Sequence, residues 1–228
     1  MNKNLLPIAK EGWNYIAGAV LLFFVFKLFD FTYLSFILFI VVVFFVYIFR
    51  NPEREQLLYQ EDSVASPVDG LVVSIDELLD DKYMYKVEID GSYRKVSLLR
   101  VPFMALLKSV KVSHGARLSS KNELHKSLNE SVELVFVDRK ENSLKVLHRL
   151  KESFVDIEIK NVESQTLLQG SRYGFMLNGT TTLYLPRNFR LNINIGDELI
   201  ASNSLIGFFT SEPTLKEVPL LSAPEEAL

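Results

Sequence analysis

The N-terminal part of the chain contains two long hydrophobic runs without a charge. Residues 16–26 read IAGAVLLFFVF, and residues 31–49 read FTYLSFILFIVVVFFVYIF. The second run has about the 20 residues that a helix needs to cross a bilayer core, and the first reaches that length when extended to 13–29. Backbone polar groups in hydrocarbon must be bonded within their own segment, so both runs are predicted to be helices. Because the link between them is short, residues 1–52 are expected to form an antiparallel transmembrane hairpin.

Two other interpretations of the hydrophobic runs exist, and the residues favour neither. A cleaved signal peptide followed by one span would need a small-residue cleavage motif between the runs, and the sequence has none there. A buried pair of core helices would present a polar face, whereas both runs are apolar on all sides.

The charges around the hairpin predict its orientation. Two basic residues precede the first run and two follow the second, namely Lys3, Lys10, Arg50 and Arg54. The turn holds only Lys27. Positive charges concentrate on the cytoplasmic side of membrane proteins, so both ends of the hairpin are predicted to face the cytoplasm. Trp13, Arg50 and Arg54 are predicted to lie at the membrane interface.

The pattern changes to period-two alternation after Pro52 and a polar linker at 53–63. Short alternating runs predict strands at 71–75, 83–89, 95–101, 132–137, 154–159, 181–185 and 198–201. Turn signals separate them at Asp90-Gly91, Asn178-Gly179 and Gly196-Asp197. Short helices are predicted only at 102–108 and 120–128. The sequence therefore indicates a mostly β domain over 64–210 and, because 211–228 is rich in proline and acidic residues, a disordered tail.

The amino-acid composition excludes several kinds of functional site. The chain has no cysteine, which excludes disulfides, thiolate metal sites and a cysteine nucleophile. His114, His125 and His148 are too scattered along the sequence to predict a metal site. The formal net charge of −3 gives no basic signature for nucleic acid.

Several short motifs resemble, in order, segments of the phosphatidylserine decarboxylase family, in particular its short bacterial form with an N-terminal membrane hairpin. They read IAKEGW at 8–13, FRNPER at 49–54, SPVDG at 66–70, GSRYG at 170–174, NGT at 178–180 and YLP at 184–186. The resemblance extends over about residues 8–209. The stretch 194–200 additionally resembles the turn of a lipoyl-type barrel-sandwich domain, so the expected fold is mostly β with barrel-sandwich elements and short helices.

The resemblance implies a function and a location. Members of this family are made as proenzymes that cut themselves at a serine and thereby form an N-terminal pyruvoyl group. The pyruvoyl ketone acts as an electron sink when phosphatidylserine is decarboxylated to phosphatidylethanolamine. The implied partner is a membrane phospholipid, and the implied location is the inner membrane of a bacterium with the β domain in the cytoplasm. A homo-oligomer or an active paralogue is a further possible partner.

The resemblance also implies catalytic residues, and the chain departs from them at two positions. Asp69 matches the family aspartate, which would orient or polarise a base, although it could also be a plain Asp-Gly turn residue. Ala105 stands where the family has a histidine. His114, nine residues further on, is the only nearby substitute, and a turn histidine without a special role is the alternative.

The self-cleavage serine is replaced as well. The best match is Gly179 followed by Thr180, whose hydroxyl could attack the glycine carbonyl and finally leave a 2-oxobutyryl group. The alternative is that Asn178-Gly179 is only a hairpin turn. Two functions follow as hypotheses. The chain is either a divergent decarboxylase that releases residues 180–228 as a fragment, or a non-catalytic relative that binds lipid or regulates a partner at the membrane.

Overall fold

The chain begins with two helices. The computed structural model describes residues 7–54, 62–80, 82–160 and 164–210. A single 3₁₀ turn at Lys10–Gly12 leads into α1 at Trp13–Leu28, and α2 spans Thr32–Ile48. The predicted tail at 211–228 and most of the predicted linker lie outside the described residues.

The two helices form an antiparallel pair with an apolar outer surface. Tyr15 contacts Phe45, and Phe23 contacts Phe39 nearer the turn, as an antiparallel pairing requires. Most of their large hydrophobic side chains are exposed, with Phe36 at 64%. The segment 10–28 is long and apolar enough to cross a membrane, whereas α2 is apolar but only 17 residues long. The predicted helix pair is therefore present, and its exposed surface is not that of a core pair.

The rest of the described chain is mostly β. The strands are β1 Ser63–Ala65, β2 Gly70–Glu77, β3 Tyr85–Asp90, β4 Leu98–Arg100, β5 Ala105–Ser113, β6 Ser131–Val137, β7 Ser143–Leu150, β8 Glu158–Ile159, β9 Thr166–Leu167, β10 Arg172–Phe175, β11 Gly179–Leu185, β12 Phe189–Leu191, β13 Glu198–Leu199 and β14 Leu205–Phe209. One short helix, α3 at His125–Leu128, precedes β6.

Three antiparallel sheets are formed by these strands. The largest has the order β13-β2-β3-β11-β7-β6-β5-β9, and two three-stranded sheets have the orders β1-β14-β12 and β4-β10-β8. Strand β11 lies inside the large sheet, where it pairs with β3 on one side and β7 on the other. Alternate residues of β7 are buried, whereas β11 is buried on both faces apart from the partly buried Tyr184. Val146 and Leu183 are fully buried in the core.

A second, smaller core joins the helix pair to the β domain. Phe49, just after α2, stacks on Phe175 of β10 with 5.6 Å between ring centroids. Its carbonyl accepts a 2.8 Å hydrogen bond from the N–H of Ala9. Gly12 packs against the same ring, and a Cβ there would lie 2.3 Å from Phe49 Cγ, so only glycine allows this approach. The base of the helix pair is thus packed into the domain.

Most predicted strands are confirmed, with changed ends. The predictions at 71–75, 132–137 and 181–185 fall within β2, β6 and β11. Three were too long, because 95–101 contains only the three residues of β4, 154–159 only the two of β8 and 198–201 only the two of β13. The prediction at 83–89 overlaps β3 but begins two residues early.

The predicted helix at 102–108 is wrong. Strand β5 begins at Ala105, where Ala105 and Leu107 are buried while Leu106 and Lys108 are exposed. The run PFMALLK has too few polar residues to show this alternation, so its period could not be read. The predicted helix at 120–128 shrinks to α3.

The predicted turn at Asn178-Gly179 is present, but it is not a hairpin. Asn178 has the left-handed φ of 57° that such turns favour. The flanking strands β10 and β11 belong to different sheets, so the turn carries the chain from one sheet to the other. The sequence pattern does not predict β7, because His148 points inward and Leu147 outward, the reverse of a simple hydrophobic alternation.

Candidate functional site

A small open cleft lies in the β domain, with a cavity volume of about 10 Å³, which is room for about one water molecule. Residues of three segments line it. They are 68–69 before β2, 91–99 in the loop after β3 and the beginning of β4, and 176–181 around the beginning of β11. Asp69 and Gly179 both line it. The fold therefore brings together two of the four predicted catalytic residues, which are 110 positions apart in the sequence.

Asp69 is held by four hydrogen bonds at the edge of this cleft. Its two carboxylate oxygens each accept a 2.6 Å bond from the guanidinium of Arg54. The N–H groups of Ala201 and Val96 donate at 2.8 and 3.4 Å. The two charged side chains are only 9% and 12% exposed. The Asp69 carboxylate is thus fixed in place and paired with a guanidinium, unlike that of a free turn residue. Arg54, which was predicted to lie at the membrane interface, lies against the β domain instead.

Gly179 places a polarised carbonyl in the cleft. Its oxygen accepts a 2.8 Å hydrogen bond from the N–H of Gly91. A Cβ at position 179 would lie 2.5 Å from the carbonyl oxygen of Arg149 and 2.6 Å from the sulfur of Met176, so no side chain fits. A donor aimed at a carbonyl oxygen stabilises the negative charge that develops when a nucleophile attacks the carbon.

Thr180 and Thr181 lie on opposite faces of the large sheet. Successive side chains of a strand alternate, and the cleft is lined by Gly179 and Thr181 but not by Thr180. Thr180 lies opposite Asp90 of β3 and Arg149 of β7. The hydroxyl predicted as nucleophile therefore points away from the cleft that holds the Gly179 carbonyl.

The structure does not bring His114 to the cleft. His114 is exposed and follows the last residue of β5, Ser113, which pairs with Ser131. Ala105, in the place of the family histidine, is buried at the beginning of β5. Among the described residues, the cleft lining includes no histidine.

A buried histidine that matches no family motif lies directly behind the cleft. His148 of β7 is fully buried, with Nδ1 2.8 Å from Thr181 Oγ1 and Nε2 2.6 Å from the Tyr173 hydroxyl. Burial lowers the pKa of His148 to about 3 and raises the pKa of Tyr173. The imidazole is therefore neutral at physiological pH. The sequence carries no clear signal for this role, because Leu147 and His148 reverse the hydrophobic alternation of β7.

A group of arginines connects the end of the helix pair to the same region. Arg100 is buried and donates to the carbonyls of Gly170 at 3.0 Å and Pro52 at 3.3 Å. Burial, and then the charges of Arg172 and Arg54, lower the pKa of Arg100 to about 10. Arg100 remains charged at neutral pH, and its hydrogen bond to the Pro52 carbonyl connects the segment after α2 to the β domain.

The cleft is also next to the C-terminal end of α2. The Arg94 carbonyl, in the segment that lines the cleft, accepts a 3.4 Å hydrogen bond from the Tyr47 hydroxyl and a second bond from the Arg50 guanidinium. The same guanidinium lies 4.3 Å from the centre of the Tyr47 ring. Trp13, at the start of α1, is 42% exposed. The end of the helix pair and the rim of the cleft thus form one surface.

The chemistry of the lining fits a prosthetic group made from the chain. A self-generated oxoacyl group requires a hydroxyl residue preceded by a peptide carbonyl at the site. Residues 179–181 supply two such hydroxyls in succession, with the Gly179 carbonyl already bonded to a donor.

Comparison with known proteins identifies the family. The family model described as phosphatidylserine decarboxylase matches residues 41–207. The phosphatidylserine decarboxylase proenzyme of Geotalea daltonii is 29% identical over 214 residues, which cover 92% of this chain and 100% of the relative. The proenzyme of Geobacter metallireducens is 29% identical over 217 residues, covering 91% and 99%, and that of Burkholderia pseudomallei strain K96243 is 23% identical over 220 residues, covering 90% and 97%. No solved structure matches the chain. Because the family model covers well over half of its 228 residues, the chain belongs to the phosphatidylserine decarboxylase family.

Proposed function

We propose that this protein is a self-processing decarboxylase that converts phosphatidylserine to phosphatidylethanolamine with a 2-oxobutyryl group made from a threonine. The observation that carries the proposal is the cleft in which Asp69 and the segment 179–181 meet. Family membership supplies the substrate class, and the cleft supplies a place where this chain could perform the reaction.

Self-processing uses a threonine hydroxyl as the nucleophile. The sequence predicts attack by Thr180 on the carbonyl of Gly179, for which the N–H of Gly91 already donates to the carbonyl oxygen. The resulting ester breaks by elimination, and hydrolysis of the new N-terminus releases ammonia. Once formed, the oxoacyl group supplies a carbonyl that accepts the electrons left behind when carbon dioxide departs.

Charged residues around the cleft suit a zwitterionic head group. Lys95 lines the cleft, and its ammonium contacts the carboxylate of Glu198 at the rim. We propose that Lys95 exchanges this partner for an anionic group of the substrate. Asp69, already paired with Arg54, would hold the turn that shapes the wall of the cleft.

A membrane location agrees with the position of the cleft. We propose that α1 and α2 span the bacterial inner membrane with both ends in the cytoplasm, and that Trp13 and Arg50 lie at the interface. Because Tyr47 and Arg50 bond directly to the loop that lines the cleft, the head group of a bilayer lipid would be close to the reacting segment.

The test is made on the full chain, purified in mild detergent. Intact-mass measurement should find two fragments, the smaller carrying a ketone at its N-terminus, and the sample should convert phosphatidylserine vesicles to phosphatidylethanolamine. A variant with valine at both Thr180 and Thr181 keeps the side-chain shapes and should remain uncut. A single uncut wild-type chain without ketone reactivity would reject the proposal.

The pairing of Asp69 favours a second candidate function. Its carboxylate is saturated by Arg54 and two N–H groups, and Ala105 occupies the place of the family histidine. A chain that never cuts itself could keep the fold as a membrane-bound lipid-binding or regulatory subunit. It would stay intact and copurify with phospholipid or with an active paralogue, and a lipid-free, partner-free preparation would count against it.

A further inference from the structure

Three side chains form a continuous hydrogen-bonded series behind the cleft. The Thr181 hydroxyl lies 2.8 Å from Nδ1 of His148, and Nε2 of His148 lies 2.6 Å from the hydroxyl of Tyr173. All three residues are at most 1% exposed. They come from β11 and β7 of the large sheet and from β10 of a smaller one, so the contacts connect two sheets.

The register of β11 and β7 explains the short contact between Thr181 and His148. The two residues lie directly opposite each other. The N–H of Lys151 donates to the carbonyl of Asn178, so these two residues form a hydrogen-bonded pair. Hydrogen-bonded and non-hydrogen-bonded pairs alternate along an antiparallel ladder, so the next hydrogen-bonded pair is Thr180 with Arg149. Thr181 and His148 then form a non-hydrogen-bonded pair, in which Cα atoms are about 4.5 Å apart and the side chains are closest.

We propose that Thr181 is the nucleophile of self-processing, that His148 is the base that activates it, and that Tyr173 orients the imidazole. This assignment rests on the proposed function and places the cut between Thr180 and Thr181. A hydroxyl bonded to a base that a third group holds in place is the arrangement that activates weak nucleophiles in enzymes. The imidazole would replace the family histidine from a different strand.

The acyl shift uses the Thr181 hydroxyl, the His148 imidazole and the backbone around Thr180. The proton of the Thr181 hydroxyl passes to Nδ1 of His148 as Oγ1 bonds to the carbonyl carbon of Thr180. By the register, the oxygen of that carbonyl accepts a hydrogen bond from the N–H of Arg149. The bond from the Thr180 carbonyl carbon to the nitrogen of Thr181 breaks, and the nitrogen takes the proton from His148. The product is an ester with a free amino group on Thr181.

Elimination and hydrolysis complete the processing. His148, neutral again, takes the Cα proton of Thr181, and the bond from Cβ to Oγ1 breaks. Thr180 leaves as the C-terminal carboxylate of residues 1–180, and the proton held by His148 is finally taken up by the released ammonia as ammonium. The unsaturated residue at position 181 takes up one water and releases one ammonia, which leaves a 2-oxobutyryl group. Water is the only co-reactant, and no oxidant or reductant is consumed.

The geometry favours Thr181 over Thr180. Thr181 faces the cleft and the imidazole, whereas Thr180 faces the opposite side of the sheet. Within the part of the chain that the structure describes, no histidine bonds to Thr180. Burial also keeps His148 unprotonated at neutral pH, so a nitrogen is free to take the hydroxyl proton.

Intact-mass measurement of the purified full chain tests the assignment. The small fragment should comprise residues 181–228 with a 2-oxobutyryl group at its N-terminus. Thr181→Ser should give the same cut with a pyruvoyl group, one methylene lighter, and Thr181→Val should give no fragment. A merely structural role of Thr181 could not change the chemical identity of the new N-terminus.

The role of His148 is tested separately. His148→Gln keeps a polar side chain but removes the base, so processing should slow by about 10²-fold or more. His125→Gln, at a partly buried position of α3 outside the cleft lining, is the matched control and should process at the wild-type rate. Thermal unfolding of both variants checks that they fold. A His148→Gln chain that folds and processes at the wild-type rate would remove His148 from the assignment.

The outcomes separate this inference from the proposed function. A small fragment that begins at residue 180 would overturn the inference and leave the proposed function standing. A wild-type chain that is never cut would overturn both, and His148 would then be a satisfied core histidine.

Discussion

Two sets of polar side chains lie at the cleft, and one set is charged while the other is neutral. Arg54 and Asp69 form a charged pair whose side chains are about one-tenth exposed. Tyr173, His148 and Thr181 form a neutral series that is almost entirely buried. A buried ion pair with every oxygen occupied holds its segment in place, but the carboxylate has no lone pair to spare for proton transfer. The neutral series retains a basic nitrogen next to a hydroxyl, so proton transfer is more readily assigned to it.

The largest expected effect breaks the charged pair. Asp69→Asn leaves the Arg54 guanidinium largely buried without its counter-charge, which should cost about 3 kcal/mol of unfolding free energy. Arg54→Gln combined with Asp69→Asn removes both charges and should recover much of that loss. Chemical denaturation in detergent measures both values. Arg54→Gln alone completes the comparison, and a loss in the double variant equal to the sum of the two single losses would show that the pair is not coupled.

The neutral series should respond to acid through His148. The pKa of His148 is about 3 in the folded chain and about 6.5 when unfolded. Between these values the unfolded chain binds the proton and the folded chain does not, so stability falls as pH decreases from 6.5 towards 3. At pH 5 the loss should be about 2 kcal/mol.

The pH effect is isolated by comparison with His148→Gln. The other titrating groups are shared, so the difference between the two pH profiles reports His148 alone. Melting temperatures measured from pH 7.5 to 5 should fall more steeply for the wild type. Parallel pH profiles of the two proteins would mean that the His148 imidazole is accessible to water.

Removing one hydroxyl from the neutral series should have a smaller effect. Tyr173→Phe leaves a buried nitrogen of His148 without its partner, which should cost about 1–2 kcal/mol. Tyr184→Phe on β11, where the side chain is only partly buried, is the matched control and should change stability by less than about 0.5 kcal/mol. Similar values for both would indicate that the hydroxyl of Tyr173 has no special partner.

The smallest expected effect concerns an exposed ion pair at the rim of the same cleft. Lys95 and Glu198 have side chains that are 29% and 67% exposed. Solvent screens such pairs, so Glu198→Gln should change the unfolding free energy by less than about 0.5 kcal/mol. A loss as large as that of Asp69→Asn would contradict the view that burial makes the difference between the two pairs.

The helix pair and several strands could be predicted because their signals are local. The runs at 16–26 and 31–49 are long, apolar and uncharged, and the alternation at 132–137 is regular. Strand β5 could not be predicted because residues 102–107 are all apolar and show no period. Strand β7 was missed because a histidine occupies one of its inward positions.

The site was only partly predictable, because its contacts depend on register between distant strands. Asp69 and Gly179 were found through motifs of the family. The contact between His148 and Thr181 joins residues 33 positions apart and exists only because β7 and β11 pair in one particular register. Arg54 was assigned to the membrane by its place in the sequence, which could not reveal that it reaches the carboxylate of Asp69.

The stacking of Phe49 on Phe175 has a consequence for how the protein finds its substrate. The Phe49 ring joins the base of the helix pair to the β domain by direct packing, and Gly12 lies against the same ring. With the helices in a bilayer, as we propose, the cleft would be held at a constant height above the lipid surface. The domain would not need to reach into solution for its substrate. Phospholipids would arrive by lateral diffusion, and encounter would become a search in two dimensions.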